Sequence, residues 1–401
     1  VSSEQPKAVP RWLTPLLAGA CGLIVANIYY AQPLAGPISH ALGLPLPAAG
    51  LIVTMTQAGY GLGLLLIVPL GDLVENRALV RTTILVAALA LVGAGLAQSV
   101  ALFLGCALLI GLGSVVVQVL VPYASHLAPE AERGQVVGQV MGGLMTGIML
   151  ARPAASLIAD VLGWRAVFLI SAGLTVATAA VLSRLLPPRR PTHTLGYGAL
   201  IASMGALMAG TPVLRRRSLY QAGMFSAFSV FWTATPLLLM GPQYRLSQSG
   251  VALFALVGAA GAVSAPLTGR WADRGWTRIG STLAMSAASA AFLISRLAPA
   301  HSLLGVGVLG LAGVMLDFAV TANLVFGQRA IFVLGEESRS RMNGVYMATF
   351  FVAGAIASAL AGWSYAKGGW AWTSLLGAAL PVAGLAYFAT ERRPVSHSPI
   401  G

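Results

Sequence analysis

Long apolar runs alternate with short polar joints along this chain, and the runs set the reading. Twelve stretches are continuously apolar, at approximately 13–38, 47–70, 79–97, 100–123, 135–159, 165–185, 219–242, 249–269, 279–297, 302–327, 341–364 and 370–390. A helix needs about 20 apolar residues to cross a hydrocarbon layer about 30 Å thick. Strands of a membrane barrel would alternate apolar and polar positions over about 10 residues. The pattern therefore predicts an all-α integral membrane protein with twelve transmembrane helices. The first run continues into Asn27 and Tyr29 without a small-residue cleavage site, so it is expected to stay as a span.

The placement of Lys and Arg orients these helices. With both termini on one side, 19 of the 24 fall there: Lys7, Arg11, Arg77, Arg81, Arg133, Arg184, Arg189, Arg190, Arg215, Arg216, Arg217, Arg270, Arg274, Arg278, Arg329, Arg339, Arg341, Arg392 and Arg393. Arg165, Arg245, Arg296 and Lys367 fall opposite, and Arg152 lies within a span. Basic loops are retained in the cytoplasm, so both termini are expected there. The longest joint runs from Pro187 to Arg217 and is bounded by cations. It divides the chain into a bundle at 1–186, a linker at 187–217 and a second bundle at 218–401. The middle of the linker is apolar but short, and is expected to lie along the cytoplasmic interface.

Composition agrees and removes other classes. Apolar residues make up 57%, charged ones only 9%, and the mean hydropathy is +0.82, too little charge to solvate a water-facing surface. The net charge of +13 does not point to nucleic acid, because the cations sit in short groups between spans. Cys21 and Cys106 lie inside apolar runs and read as packing residues. There is no phosphate-binding glycine loop, metal-ligand cluster or nucleophile elbow, which disfavours an ATP-driven pump and an enzyme and implies no metal or cofactor.

The two halves repeat. At an offset of 206, Arg133 aligns with Arg339, Gly138 with Gly344, Met141 with Met347, Ala151 with Ala357, and Gly163-Trp164 with Gly369-Trp370. Duplication explains the rare Arg and Trp matches. A second echo follows the second and eighth spans: Gly71, Asp72, Glu75 and Arg77, then Gly269, Asp273 and Arg274. Here the chain resembles the major facilitator superfamily, whose cytoplasmic loop signature is G-x-x-x-D-[RK]-x-G-x-[RK]. The second copy follows it through Asp273, Arg274 and Arg278, with Gly275 one place early. The first has Glu75 for the acid and Asn76 for the cation. The resemblance implies the major facilitator fold, two pseudo-symmetric six-helix bundles, with these loops as a gate across the cytoplasmic seam.

Within that superfamily, Gly147, Ala151, Arg152, Pro153 and Ala154 look like a worn form of the G-P motif of antiporters. Arg152 replaces a Gly, and Ala107 stands where an Arg linked to proton coupling is often found. The stretches Asn27 to Pro33, Phe231-Trp232-Thr233 and Gly327 to Ala330 resemble a bacterial branch of twelve-span drug/proton antiporters. The resemblance implies a monomer in the cell inner membrane, surrounded by lipid, that exports small organic molecules in exchange for protons. Symport or uniport of a metabolite, sugar or organic anion uses the same fold.

A carrier needs a polar lining at mid-depth. Inside the spans, Asn27, Tyr30 and Gln32 lie on the first, Gln57 and Tyr60 on the second, Gln118 on the fourth, Trp232 on the seventh, Asn323 on the tenth and Tyr346 on the eleventh. Such polar groups often only bond neighbouring helices, at about 0.6 kcal/mol each. Ionisable groups are rarer, and only Arg152 and Asp317 lie within spans. At a helix centre each costs about 2.5–3.5 kcal/mol unless it faces protein or water. Asp317 is the carboxylate available to carry a proton; equally, it can accept hydrogen bonds from neighbouring helices and only shape the cavity. Arg152 is expected about 9 Å from Asp317 in depth, counting about 1.5 Å per residue, and therefore to attract an anionic substrate or, in preference, to snorkel or bridge the bundle interface. Asp160 and Arg165 are expected to form a local ion pair.

Overall fold

The computed structural model describes residues 12–189, 191, 196–335 and 338–391. Lys7, Arg11, Arg190, Arg392 and Arg393, assigned above to the cytoplasmic side, lie outside them. All the regular structure among the described residues is helical. Ten elements cross once: Leu13–Leu42, Leu46–Asp72, Asn76–Gly95, Val100–Leu127, Arg133–Leu162, Trp164–Leu185, Pro212–Met240, Gln248–Asp273, Thr277–Ser295 and Leu303–Phe332. The last, Arg339–Ala389, has 51 residues and breaks at Gly368 and Gly369, which makes it the eleventh and twelfth spans. This is a multi-pass membrane protein, and its outer surface is apolar: Leu89 and Leu283, 73% and 64% exposed, would be costly in water.

Capping fixes several span boundaries. The hydroxyls of Ser99, Ser247 and Ser302 each accept a backbone N–H of the first turn they precede. Gly163 and Gly369, with φ of 82° and 57°, turn the chain between paired spans in both halves, where a side chain would be strained. The tryptophan after each is buried, so the sequence repeat is also a structural one.

Within the first bundle, close packing uses small residues. Gly22 of the first span meets Gly143 and Gly147 of the fifth backbone to backbone, and Gly59 and Gly111 bring the second and fourth together. Across the bundles, the second and eleventh spans meet at Gly50, Ser358 and Gly362, and the Thr54 hydroxyl donates to the Ala355 carbonyl at 2.8 Å.

The linker holds a helix at Tyr197–Gly210, beside both bundles: the Tyr197 hydroxyl donates to Leu66 O, and Arg341 donates to Ser203 Oγ. The seventh span begins at Pro212, earlier than the expected boundary at 218. Proline suits a first helical position, whose N–H has no partner in any case. Arg215, Arg216 and Arg217 thus belong to the helix rather than the linker. Arg217 pairs with Glu391 at 3.3 Å, and Arg216 bonds Tyr387 and Thr390, so the chain's last described turn anchors this end.

Candidate functional site

Three spans lose regular helix at mid-depth. The first unwinds at Asn27–Tyr30, where the amides of Asn27, Ile28 and Tyr29 reach back three residues instead of four, and Pro33 has no amide to offer Tyr29. The fourth is interrupted between Ser114 and Val117, and the eighth passes through a tighter turn at Leu256–Ala259. Interrupted spans are where carriers expose backbone and side chains to a solute.

The two ionisable groups meet beside the breaks in the first and eighth spans. Arg152 is 2% exposed and Asp317 is 4% exposed, so neither snorkels. The Arg152 Nε donates to Gln32 Oε1 at 2.6 Å. Its guanidinium lies 4.2 Å from the centroid of the Trp232 ring, 5.0 Å from Tyr29 and 5.1 Å from Phe228. Aromatic faces stabilise a desolvated cation. Trp232 also donates Nε1–H to Asp317 Oδ1 at 2.8 Å. A Cβ on Gly258 would stand 3.2 Å from Arg152 Nη1 and 3.3 Å from Asp317 Oδ2, so both charged groups pack against one point of the eighth span, where the lack of a side chain admits them. Neither of the two ion pairs formed among the described residues joins them. Arg152 thus bridges the bundles, from the fifth and first spans to the rings of Phe228 and Trp232 on the seventh.

The remaining candidates divide. Gln57 exchanges hydrogen bonds with Ser229 and accepts one from Ser358, tying the second span to the seventh and eleventh. Gln118 donates to the Tyr60 hydroxyl at 2.9 Å, and Tyr60 packs on Phe351 across the bundles. Asn27 accepts from Ser171 of the sixth span, and Tyr30 beside it is half-buried. Asn323 bonds Gln221, and Tyr346 donates to Leu324 O, so both connect helices of the second bundle. The sequence reading passed over Gln248, which donates to Pro33 O and Ser156 Oγ and ties the eighth span to the first and fifth. It also passed over Gly258, although Gly258 and Gly261 interrupt an apolar run, a signal for a broken helix.

The bundles join most closely away from the termini. The fifth and eighth spans pack through Gln248–Ala255, whereas Gly134, Gly138 and Gly142, toward the other end of the fifth, have no neighbour within 4 Å of an added Cβ. On that parted side lie the two repeated loops. Asp273 pairs with Arg329 of its own bundle at 2.8 Å, and Arg274 is exposed after Gly269. Glu75 caps the third span, accepting the amides of Arg77 and Ala78 at 2.8 Å and of Arg189 at 3.3 Å. Burial raises its pKa, but these donors outweigh that and hold it below the usual carboxylate range. Asn76 Nδ2 donates to Gly71 O, shaping the loop that carries Asp72. Among the described residues, neither ion pair joins the two loops across the seam. Nor is the expected Asp160–Arg165 pair made: Arg165 instead donates to Ala97 O and lies over Trp164.

A separate groove of about 480 Å³ runs between the ninth and tenth spans, past Trp271, Leu283, Phe318 and Phe326. Its walls are apolar, which suits lipid better than a polar solute.

Known proteins agree with this architecture. The chain is 37% identical over 373 residues to the putative uncharacterized transporter YgaY of Escherichia coli K12, covering 93% of this chain and 94% of that one. It is 34% identical over 390 residues to a probable transporter of Streptomyces coelicolor, covering 96% and 89%. Crystal structures of the nucleoside transporter NupG and of a POT family transporter with a bound thioalcohol-conjugated peptide superpose with TM-scores of 0.76 and 0.75 at 12% and 15% identity. They cover 94% and 95% of this chain, and 100% and 96% of those chains. The family model described as Major Facilitator Superfamily matches residues 17–331. The chain belongs to the Major Facilitator Superfamily and is a secondary transporter of that type, not an enzyme.

Proposed function

We propose that this transporter moves small organic molecules across the bacterial inner membrane by alternating access, coupled to protons at Asp317, and that it works in efflux. One observation carries the site: a buried carboxylate and a buried guanidinium, drawn from different bundles, pack against Gly258 beside the irregular segments of the first and eighth spans. Rocking of the bundles would change what faces Asp317, and with it the carboxyl's hold on a proton. Gly71, Asp72, Glu75 and Arg77, with Gly269, Asp273 and Arg274, are the proposed gate on the parted side. Efflux rests on the resemblance to drug/proton antiporters; the solved neighbours carry nucleosides or peptide-like molecules and support the fold alone.

Proteoliposomes loaded with candidate cargoes under an imposed pH gradient test this reading. Gradient-driven transport is expected to disappear in Asp317→Asn while counterflow exchange persists. Undiminished gradient-driven transport in that variant would reject the assignment. A second reading, symport of an organic anion with a proton, is favoured by the positive charge of Arg152 beside the carboxylate.

A further inference from the structure

We propose that the central site takes a small organic acid as its carboxylate, held by Arg152 and the Gln32 amide, and that acid and proton cross together. The inference rests on the carrier reading and deepens its second form, symport, in place of proton-driven efflux.

The donors come first. Arg152 can only donate, so its 2.6 Å bond to Gln32 obliges that amide to present its oxygen and turns its NH₂ elsewhere. Arg152 Nη2 and Gln32 Nε2 are both buried and have no hydrogen-bond partner within the chain. Both are N–H donors, so a solute that satisfies them must bring acceptor oxygens. The rings of Tyr29, Phe228 and Trp232 pack against the guanidinium and leave its Nη edge toward Gly258 of the eighth span. A planar carboxylate matches such a fork with two parallel bonds, which an amine or a cation cannot do.

Charge balance gives the coupling. Without solute, Arg152 and Asp317 together are neutral. A carboxylate alone would leave one uncompensated negative charge in a dry centre, which is costly. A proton on Asp317 restores neutrality: solute carboxylate and Arg152 cation balance, and the Asp317 carboxyl is neutral. One proton and one acid therefore load and leave together, and no net charge crosses in either leg. The charged and titratable groups facing Asp317 are Arg152 from the fifth span and Tyr29 from the first. The seventh contributes the Trp232 indole, and the eighth contributes Gly258 and Gly261.

The test uses the full chain, purified and reconstituted, with acetate, benzoate and phenylacetate as probes and benzamide and benzylamine as matched neutral and cationic controls. Calorimetry is expected to show at least one carboxylate binding at millimolar concentration, at least tenfold tighter than either control, with one proton taken up. Affinity should rise up to tenfold for each pH unit of acidification while Asp317 is ionised. Arg152→Gln should lose this binding and Arg152→Lys weaken it, with thermal unfolding checking that both are folded. Asp317→Asn should bind the acid without pH dependence. The wild-type preference over benzylamine needs no variant at all.

No carboxylate binding, equal binding of benzylamine, or unchanged binding in a folded Arg152→Gln protein would overturn the inference. If a neutral or cationic cargo is carried in an Asp317-dependent manner without acid binding, the carrier reading stands and this inference falls. Acid binding with no flux in either direction would instead sink the carrier reading.

Discussion

The indole N–H of Trp232 donates to the carboxylate of Asp317 across 2.8 Å, joining the seventh span to the tenth in a setting with almost no solvent. The same ring lies against Arg152, so one side chain positions both charges. Trp232→Phe keeps an aromatic face for the cation and removes the donor. Hydrogen bonds to charged groups contribute about 1.5–3 kcal/mol. The expected outcome is a transport rate roughly 10- to 100-fold lower at an unchanged amount of folded protein. Initial flux in proteoliposomes measures it, and a wild-type rate would show that the bond does not position Asp317.

Gly147 lies against the backbone of Gly22 in the first span. Gly147→Leu would press a side chain on backbone atoms that cannot rotate away. Overpacking costs about 1–3 kcal/mol. A clear fall in the unfolding temperature of the detergent-purified protein is expected, with loss of transport; an unchanged temperature would show that the two helices can separate freely.

Glu75 supports the third span by accepting three backbone amides. Glu75→Ala should cost about 1 kcal/mol, the usual loss for an N-cap. The sign of its pH dependence follows from the lowered folded pKa. The contribution is complete above the ordinary carboxylate range of the unfolded chain, and is lost as pH falls through the lower folded value. Thermal unfolding followed from neutral to acid pH checks this: the gap between wild type and Glu75→Ala should narrow on acidification. A gap that widens would contradict it.

Much of the architecture was legible because lipid imposes one requirement on every span. Backbone groups must be satisfied within a helix, so apolar length alone reveals the crossings. The Gly163-Trp164 and Gly369-Trp370 echo was legible because a left-handed turn requires glycine and the tryptophan after it is buried. The start of the seventh span was not, since Arg215, Arg216 and Arg217 look like a loop until Glu391, Tyr387 and Thr390 are seen to receive two of them. Asp317 and Arg152 stood out as rare ions, but counting residues along separate helices set them about 9 Å apart in depth. The breaks in regular helix at Asn27–Tyr30 and Leu256–Ala259 and the stacking of Arg152 on Trp232 are tertiary events with no local signature except Gly258, Gly261 and Pro33. Asp160 and Arg165 show the converse error, because proximity in sequence did not decide where the guanidinium points.

The central claim is that two bundles rock about a shared polar centre, and the seam between Ser156 and Gln248 tests it most directly. These side chains meet at 3.5 Å where the fifth and eighth spans pack. In a background with Cys21→Ala and Cys106→Ala, Ser156→Cys and Gln248→Cys would be joined by a short reducible thiol cross-linker and flux measured before and after reduction. The account predicts that cross-linking stops transport and that reduction restores it. Full transport through the cross-linked protein would contradict it.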